Sequence, residues 1–260
     1  MDTNHDLNSA ENQSRHPFHF INGSINLLFL DDQPLILDLL ETIFEPIRLY
    51  SLHKAATSKE ALQLLCSDTR FHGCVMDLGV KDIDNDEFMI LKRFGSKTSF
   101  VVLTGSQFPS KGFDAYRLGA KAVVEKTGHL EQSALLKTVN RYTLENIINP
   151  HFHEQSDDTT SISTKILFQS SPDTVTRWAQ ELGISDRQLR KIWKSCLGFS
   201  AKTSLFTFNL FQQAFLFYEN MLDQNTEEPS PDFLPISQDQ YRRMEEYFYL
   251  HRSSVLEHLA

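Results

Sequence analysis

Residues 25–148 alternate five times between a short apolar run and a stretch whose apolar residues recur at helical spacing. Residues 26–30 form the first run, and Leu35, Leu39, Leu40 and Ile43 follow on one side of a helix. Residues 49–55 are the second candidate strand, with Ser58 as the expected N-cap ahead of Ala61, Leu62, Leu64 and Leu65. Residues 74–76, 99–103 and 122–124 are the remaining runs. Phe88, Leu91 and Phe94 mark one intervening helix, and Phe113, Tyr116 and Leu118 another that Gly119 would end. Residues 135–148 are the last helix. Strand–helix alternation predicts a parallel sheet covered by helices on both faces. In open sheets of this kind, ligands bind at the carboxyl ends of the strands.

Those ends carry the chemistry. The first run ends in Asp31 and Asp32, the third in Asp77, the fourth in Thr104, and the fifth near Lys126. A parallel sheet brings all five to one edge. Three converging carboxylates repel one another, and burying them unpaired is costly. Mg²⁺ resolves this, because it prefers oxygen ligands and is held by a few carboxylates with retained waters. A carboxylate is also a nucleophile towards phosphorus. The metal and the Lys126 ammonium would neutralise the phosphoryl oxygens, and Thr104 would hydrogen-bond one of them.

The pieces LLFLDDQ (27–33), CVMDLGV (74–80), FVVLTGS (100–106) and GAKAVVEKTG (119–128) together resemble the receiver domain of two-component response regulators. The resemblance covers roughly residues 26–146. It implies a flavodoxin-like, five-stranded, doubly wound parallel sheet. It makes Asp31 and Asp32 the acidic Mg²⁺ pair, Asp77 the phosphoacceptor, and Gly79 the donor of a backbone carbonyl to the metal. Thr104 becomes the switch hydroxyl and Lys126 the phosphate-contacting lysine. A sensor histidine kinase is the implied partner, with no enzymatic activity beyond the receiver's own phosphorylation and dephosphorylation. The chain departs from the family in one three-residue stretch and at three single positions. Val80-Lys81-Asp82 replaces the usual turn, Asn85 stands where glycine is common, Thr127 replaces proline, and Val123 replaces an aromatic. The catalytic set is complete while the signalling set is altered.

Residues 173–196 introduce a second theme. Val175, Trp178, Ala179 and Leu182 lie at helical spacing, Gly183 permits a tight turn, and Ser185 is a good N-cap. Leu189, Ile192 and Trp193 would form the buried side of the next helix. Arg187, Gln188, Arg190, Lys191 and Lys194 would form its exposed side. Arg and Gln suit purine edges and Lys suits phosphates. Between 172 and 204 there are six basic and three acidic residues, a balance of 6 − 3 = +3. The whole chain is at −9, so DNA contact has to come from such a local patch. The stretch AQELGISDRQLRKIWKSCLGFS (179–200) resembles the first helix-turn-helix of the AraC family. Members of that family carry two such units, and here no second one follows. Asn209 occupies the usual arginine position of the connecting helix. One unit alone would bind DNA weakly unless dimerised.

The expected organisation is a flexible extension over 1–24, a receiver over 25–149, a linker over 150–164, and an all-α output domain over 165–260. Cys66, Cys74 and Cys196 are odd in number and far apart, which argues against a disulfide framework and for a reducing compartment. Residues 1–22 lack the apolar core of a signal peptide, and 205–222 is too interrupted by polar residues to span a bilayer. A cytoplasmic protein with no membrane association is therefore expected. The histidines His5, His16, His19, His151 and His153 form no ligand set. Phe206, Phe208, Phe211, Phe215 and Phe217 read as core. Tyr241, Met244 and Phe248 make one apolar stripe, which either covers that Phe-rich helix or pairs with its symmetry mate in a homodimer.

The leading reading is thus a transcription regulator controlled by phosphorylation of Asp77. An alternative is a helical output that binds protein or RNA, with a receiver working independently of phosphate. A phosphatase of the haloacid-dehalogenase type is excluded. It needs Asp-x-Asp after the first strand, whereas Asp32 is followed by Gln33-Pro34.

Overall fold

The five apolar runs form β1 (Ile25–Leu30), β2 (Tyr50–Ala55), β3 (Gly73–Asp77), β4 (Ser99–Thr104) and β5 (Ala122–Glu125). All neighbours pair in parallel, in the order β2-β1-β3-β4-β5. The computed structural model describes residues 17–80, 86–105, 109–126, 131–152, 157–224 and 236–259. The expectations for Lys81, Asp82, Asn85, Thr127, His5, His16 and His153, and for the extension up to residue 16, lie outside the described residues.

Helices α1 (Pro34–Phe44), α2 (Ser58–Leu65), α3 (Asp86–Phe94), α4 (Pro109–Arg117) and α5 (Gln132–Ile148) connect or follow the strands. Alternation along β1 sorts its side chains. Leu27 and Phe29 enter one core with α1 and α5, while Leu28 and Leu30 enter another with α2, α3 and α4. Both faces are covered, which is why β1, β3 and β4 are nearly continuous apolar runs.

Local details differ from the sequence expectation in places. Leu35 is 82% exposed, and α1 instead buries Leu37, Leu40, Ile43 and Phe44. Thr57, not Ser58, caps α2, its hydroxyl accepting from the Glu60 amide at 3.2 Å. Phe113 and Tyr116 do lie on a helix, but they are 65% and 49% exposed, and Ala115 makes the core contact.

The second half is helical: α6 (Thr159–Ser170), α7 (Val175–Glu181), α8 (Asp186–Leu197), α9 (Ala201–Asp223) and α10 (Gln238–Leu259). α6 begins inside the stretch expected to be a linker, with Asp158 capping it through the amides of Thr160 and Ser161. α9 packs along α5, and the Phe-rich face of α9 joins the α1–α5 core without a break. Consequently α5 is buried on two sides, including Asn140, Thr143, Glu145 and Asn146. Residues 17–24 depart from the flexible extension expected over 1–24. Phe18 and Ile21 are buried in that same core, Phe18 edge-on to Phe217 and Tyr241.

The apolar stripe of α10 faces its own chain. Phe248 is buried against Phe20, Tyr247 stacks on Phe206, and the Tyr241 hydroxyl donates to the Pro17 carbonyl at 3.0 Å. A non-helical residue, His251, bends α10, and the helix ends with the Leu259 carbonyl accepting from His72 and Arg70. No helix among the described residues is long and apolar enough to cross a membrane.

Candidate functional site: an acidic pocket at the strand ends

β1 and β3 are adjacent in the sheet, so Asp31, just past β1, and Asp77, the last residue of β3, reach the same edge. With Asp32 they form a cluster whose carboxylate oxygens lie within 4.8 Å of one another. Asp31 and Asp77 are buried, and Asp32 is partly open. Lys126 completes the pocket from the end of β5. Its Nζ lies 2.6 Å from Asp31 Oδ2 and 3.0 Å from Asp77 Oδ1. The Gln33 amide donates to Asp31 Oδ1 at 3.0 Å.

Burial pushes the Asp31 carboxyl above its usual range, and the neighbouring Asp77 charge adds to this. Lys126 and the Gln33 amide pull the other way. The balance is a carboxyl whose charged form the site disfavours despite its lysine, a pocket in want of further positive charge.

Thr104 ends β4, is buried, and donates to the Gly105 carbonyl at 3.2 Å. The Lys126 amide donates to the Thr104 carbonyl at 2.7 Å, which keeps the two predicted residues side by side. Gly79 folds back over the carboxylate so closely that a Cβ there would stand 3.1 Å from Asp77 Oδ2. Asp31, Asp32, Asp77, Gly79, Thr104 and Lys126 therefore gather at one edge. One neighbour escaped the sequence reading: Lys111 of α4 donates to the Leu78 carbonyl at 3.4 Å. Nothing in a single lysine between Ser110 and Gly112 signals such a reach.

The other predicted site is on α8. Ser185 and Gln188 form a capping box, the Gln188 side chain accepting from the Ser185 amide at 2.9 Å. Arg190 pairs with Asp186, whose carboxyl it holds below the usual range. Lys194 donates to the Gly198 carbonyl at the other end of α8. Arg187 and Lys191, one turn apart, are exposed. The five side chains do share one helix, but Gln188, Arg190 and Lys194 are engaged within it. The Ser-x-x-Gln spacing was a legible warning for Gln188. Inside, Leu189 and Trp193 are fully buried while Ile192 is only partly so, and Trp178 and Trp193 meet edge to face at 4.6 Å. Gly183 adopts φ +68°, the conformation that the turn between α7 and α8 requires.

Residues 27–140 match the family described as the response regulator receiver domain. Several solved structures are similar to the chain. The signal receiver domain of an HD domain-containing protein from Pseudomonas fluorescens Pf-5 is 24% identical over 45% of this chain and 93% of that one, with a TM-score of 0.41. The signal receiver domain of a DNA binding response regulator protein from Colwellia psychrerythraea 34H is 22% identical over 45% and 96%, with a TM-score of 0.40. A response regulator receiver domain protein from Clostridium thermocellum is 20% identical over 46% and 98%, with a TM-score of 0.39. No curated protein sequence matches the chain. An acidic edge with a bridging lysine, on a sheet of this order and within the matched residues, makes residues 27–140 of this chain a response regulator receiver domain.

Proposed function

We propose that the chain is a response regulator in which a sensor histidine kinase phosphorylates Asp77, and that this controls DNA binding by α8 and hence transcription. A receiver domain implies a phosphorylation-responsive regulator. The observation that carries the assignment to Asp77 is its position, facing Lys126 at 3.0 Å and grouped with Asp31 and Asp32. An Asp77 carboxylate oxygen forms the new bond to phosphorus as the donor's bond to phosphorus breaks. The departing electron pair leaves with the donor. Lys126 then pairs with the phosphoryl oxygens, and the Thr104 hydroxyl turns from the Gly105 carbonyl to one of them.

The donor set fits Mg²⁺, because three carboxylates with one lysine leave surplus negative charge on hard oxygen ligands. Asp31, Asp32, Asp77 and the Gly79 carbonyl would hold the ion. Bound, it would neutralise charge on the transferring phosphoryl group.

The DNA reading is supported by a well-capped α8 with Arg187 and Lys191 exposed on it. A second reading, a protein or RNA partner, is favoured by the engagement of Gln188, Arg190 and Lys194 in α8's own caps and ion pair.

Two measurements test the proposal. Incubation with acetyl phosphate and Mg²⁺ should add one phosphoryl group by intact mass, and Asp77→Asn should add none. A selection on randomised duplex DNA should return a consensus. A receiver that modifies normally while no consensus emerges moves the output to the second reading.

A further inference from the structure

We propose that α9 is a lever that carries the state of the Asp77 pocket to the Trp178–Trp193 pair that joins α7 to α8. The proposal rests on the reading of Asp77 as phosphoacceptor. Its own support is the seam between α5 and α9. Lys126, which bridges the pocket carboxylates, precedes α5 by only a few residues. In the first turns of α5, Ser133 donates to Asp223 Oδ1 at 3.0 Å and Lys137 Nζ lies 2.9 Å from Asp223 Oδ2. Asp223 is the last residue of α9.

Further along, a chain of hydrogen bonds crosses from sheet to lever. The Tyr50 hydroxyl of β2 donates to Asn140 Oδ1 at 2.6 Å, and Asn140 Nδ2 donates to Glu219 Oε1 at 2.7 Å. Burial raises the Glu219 carboxyl above its usual range. Such a network is costly to disrupt halfway, which favours discrete arrangements over gradual slippage.

α9 has 23 residues and so spans about 35 Å. Its opposite end holds α8 directly. Trp193 donates its indole N–H to Ser204 Oγ at 2.7 Å, and α8 packs on α6, α7 and α9. Trp178 is tied the same way to the Ser163 carbonyl of α6, at 3.0 Å. One rigid helix therefore has its C-terminal end pinned beside the start of α5 and its N-terminal end pinned to α8.

The molecule supplies its own reporter, because its two tryptophans are Trp178 and Trp193. The full chain is loaded with beryllium fluoride and Mg²⁺, fluorine NMR reads the adduct on Asp77, and tryptophan emission reads the far end of the lever. The wild type should show a shift in emission on loading. Lys137→Glu should retain the adduct signal while the shift falls severalfold, and the milder Asp223→Asn should behave likewise. Both residues are half-exposed, so folding is retained, and circular dichroism checks it. Restoring the pair in reverse, with Lys137→Glu and Asp223→Lys together, should recover the shift. An adduct with unchanged wild-type emission overturns the lever while leaving Asp77 as phosphoacceptor. A full shift in Lys137→Glu does so too. Absence of any adduct removes the Asp77 reading, and the lever with it.

Discussion

His72 donates its Nε2–H to the Leu259 carbonyl at 2.8 Å, joining the start of the receiver's third strand to the last turn of the final helix. The Asn26 amide donates to the other ring nitrogen at 3.1 Å, which fixes the neutral tautomer. Burial pushes the imidazole down to about 4 from an ordinary 6.5, and the Arg70 charge beside it contributes.

That depression has a direction in pH. The folded state holds His72 neutral, so the unfolded chain binds the extra proton between pH 6.5 and 4. The stabilisation is complete above 6.5 and is lost as pH falls through 4, by about 3 kcal/mol at most. Urea titrations across this window should show wild-type stability falling with a slope that His72→Gln flattens. Parallel slopes would contradict the assignment.

Asp31 works in the opposite sense. Its folded carboxyl titrates above the unfolded one, so its ionised form costs stability as pH rises through the folded value. Asp31→Asn should therefore raise the unfolding midpoint at neutral pH while abolishing Mg²⁺-dependent modification of Asp77. Calorimetry and intact-mass analysis check the two halves.

Removing Lys126 should do the reverse. Lys126→Met leaves Asp31 and Asp77 without their shared cation, and stripping one partner from a buried pair costs about 3–5 kcal/mol. Denaturation in EDTA should show that loss. Titrating Mg²⁺ into the variant should recover part of it, since the ion takes over the neutralising charge.

On α8, Gln188→Ala removes the capping box and Arg187→Ala removes an exposed cation. The first should lower stability by less than the about 1 kcal/mol lost with an N-cap side chain, since the Ser185 cap remains, and should not change sequence preference. The second should lower affinity for the selected DNA by about 1–3 kcal/mol if that guanidinium reads a base. Gel shifts on selected and scrambled duplexes separate these outcomes.

Phe248 lies buried against Phe20, where α10 meets the segment that precedes β1. Phe248→Ala should cost about 3–5 kcal/mol. Sedimentation should meanwhile show the wild type as a monomer, because the stripe offered for a homodimer is already covered by its own chain. A dimeric wild type would require a different surface.

The local periodicities of the sequence determined the strand–helix alternation by themselves, and the motifs at the strand ends carried the resemblance to a receiver. Alternating apolar runs and helical segments, four of the five runs closed by an acid, a threonine or a lysine, place Asp31, Asp77, Thr104 and Lys126 at one edge of any parallel sheet. The cap at Ser185 and the turn at Gly183 were equally local and equally legible. Only the tertiary structure decided that α5 is buried on two sides, that Phe18 belongs to the core, and that α10 closes back on the receiver. Each depends on which apolar face meets which. Many faces of similar hydrophobicity are interchangeable in sequence, because burial is non-directional. The polar pairs that select among them, Asn140 with Glu219, Lys137 with Asp223 and His72 with Leu259, are separated by 79, 86 and 187 residues. No periodicity within one segment records contacts across such separations.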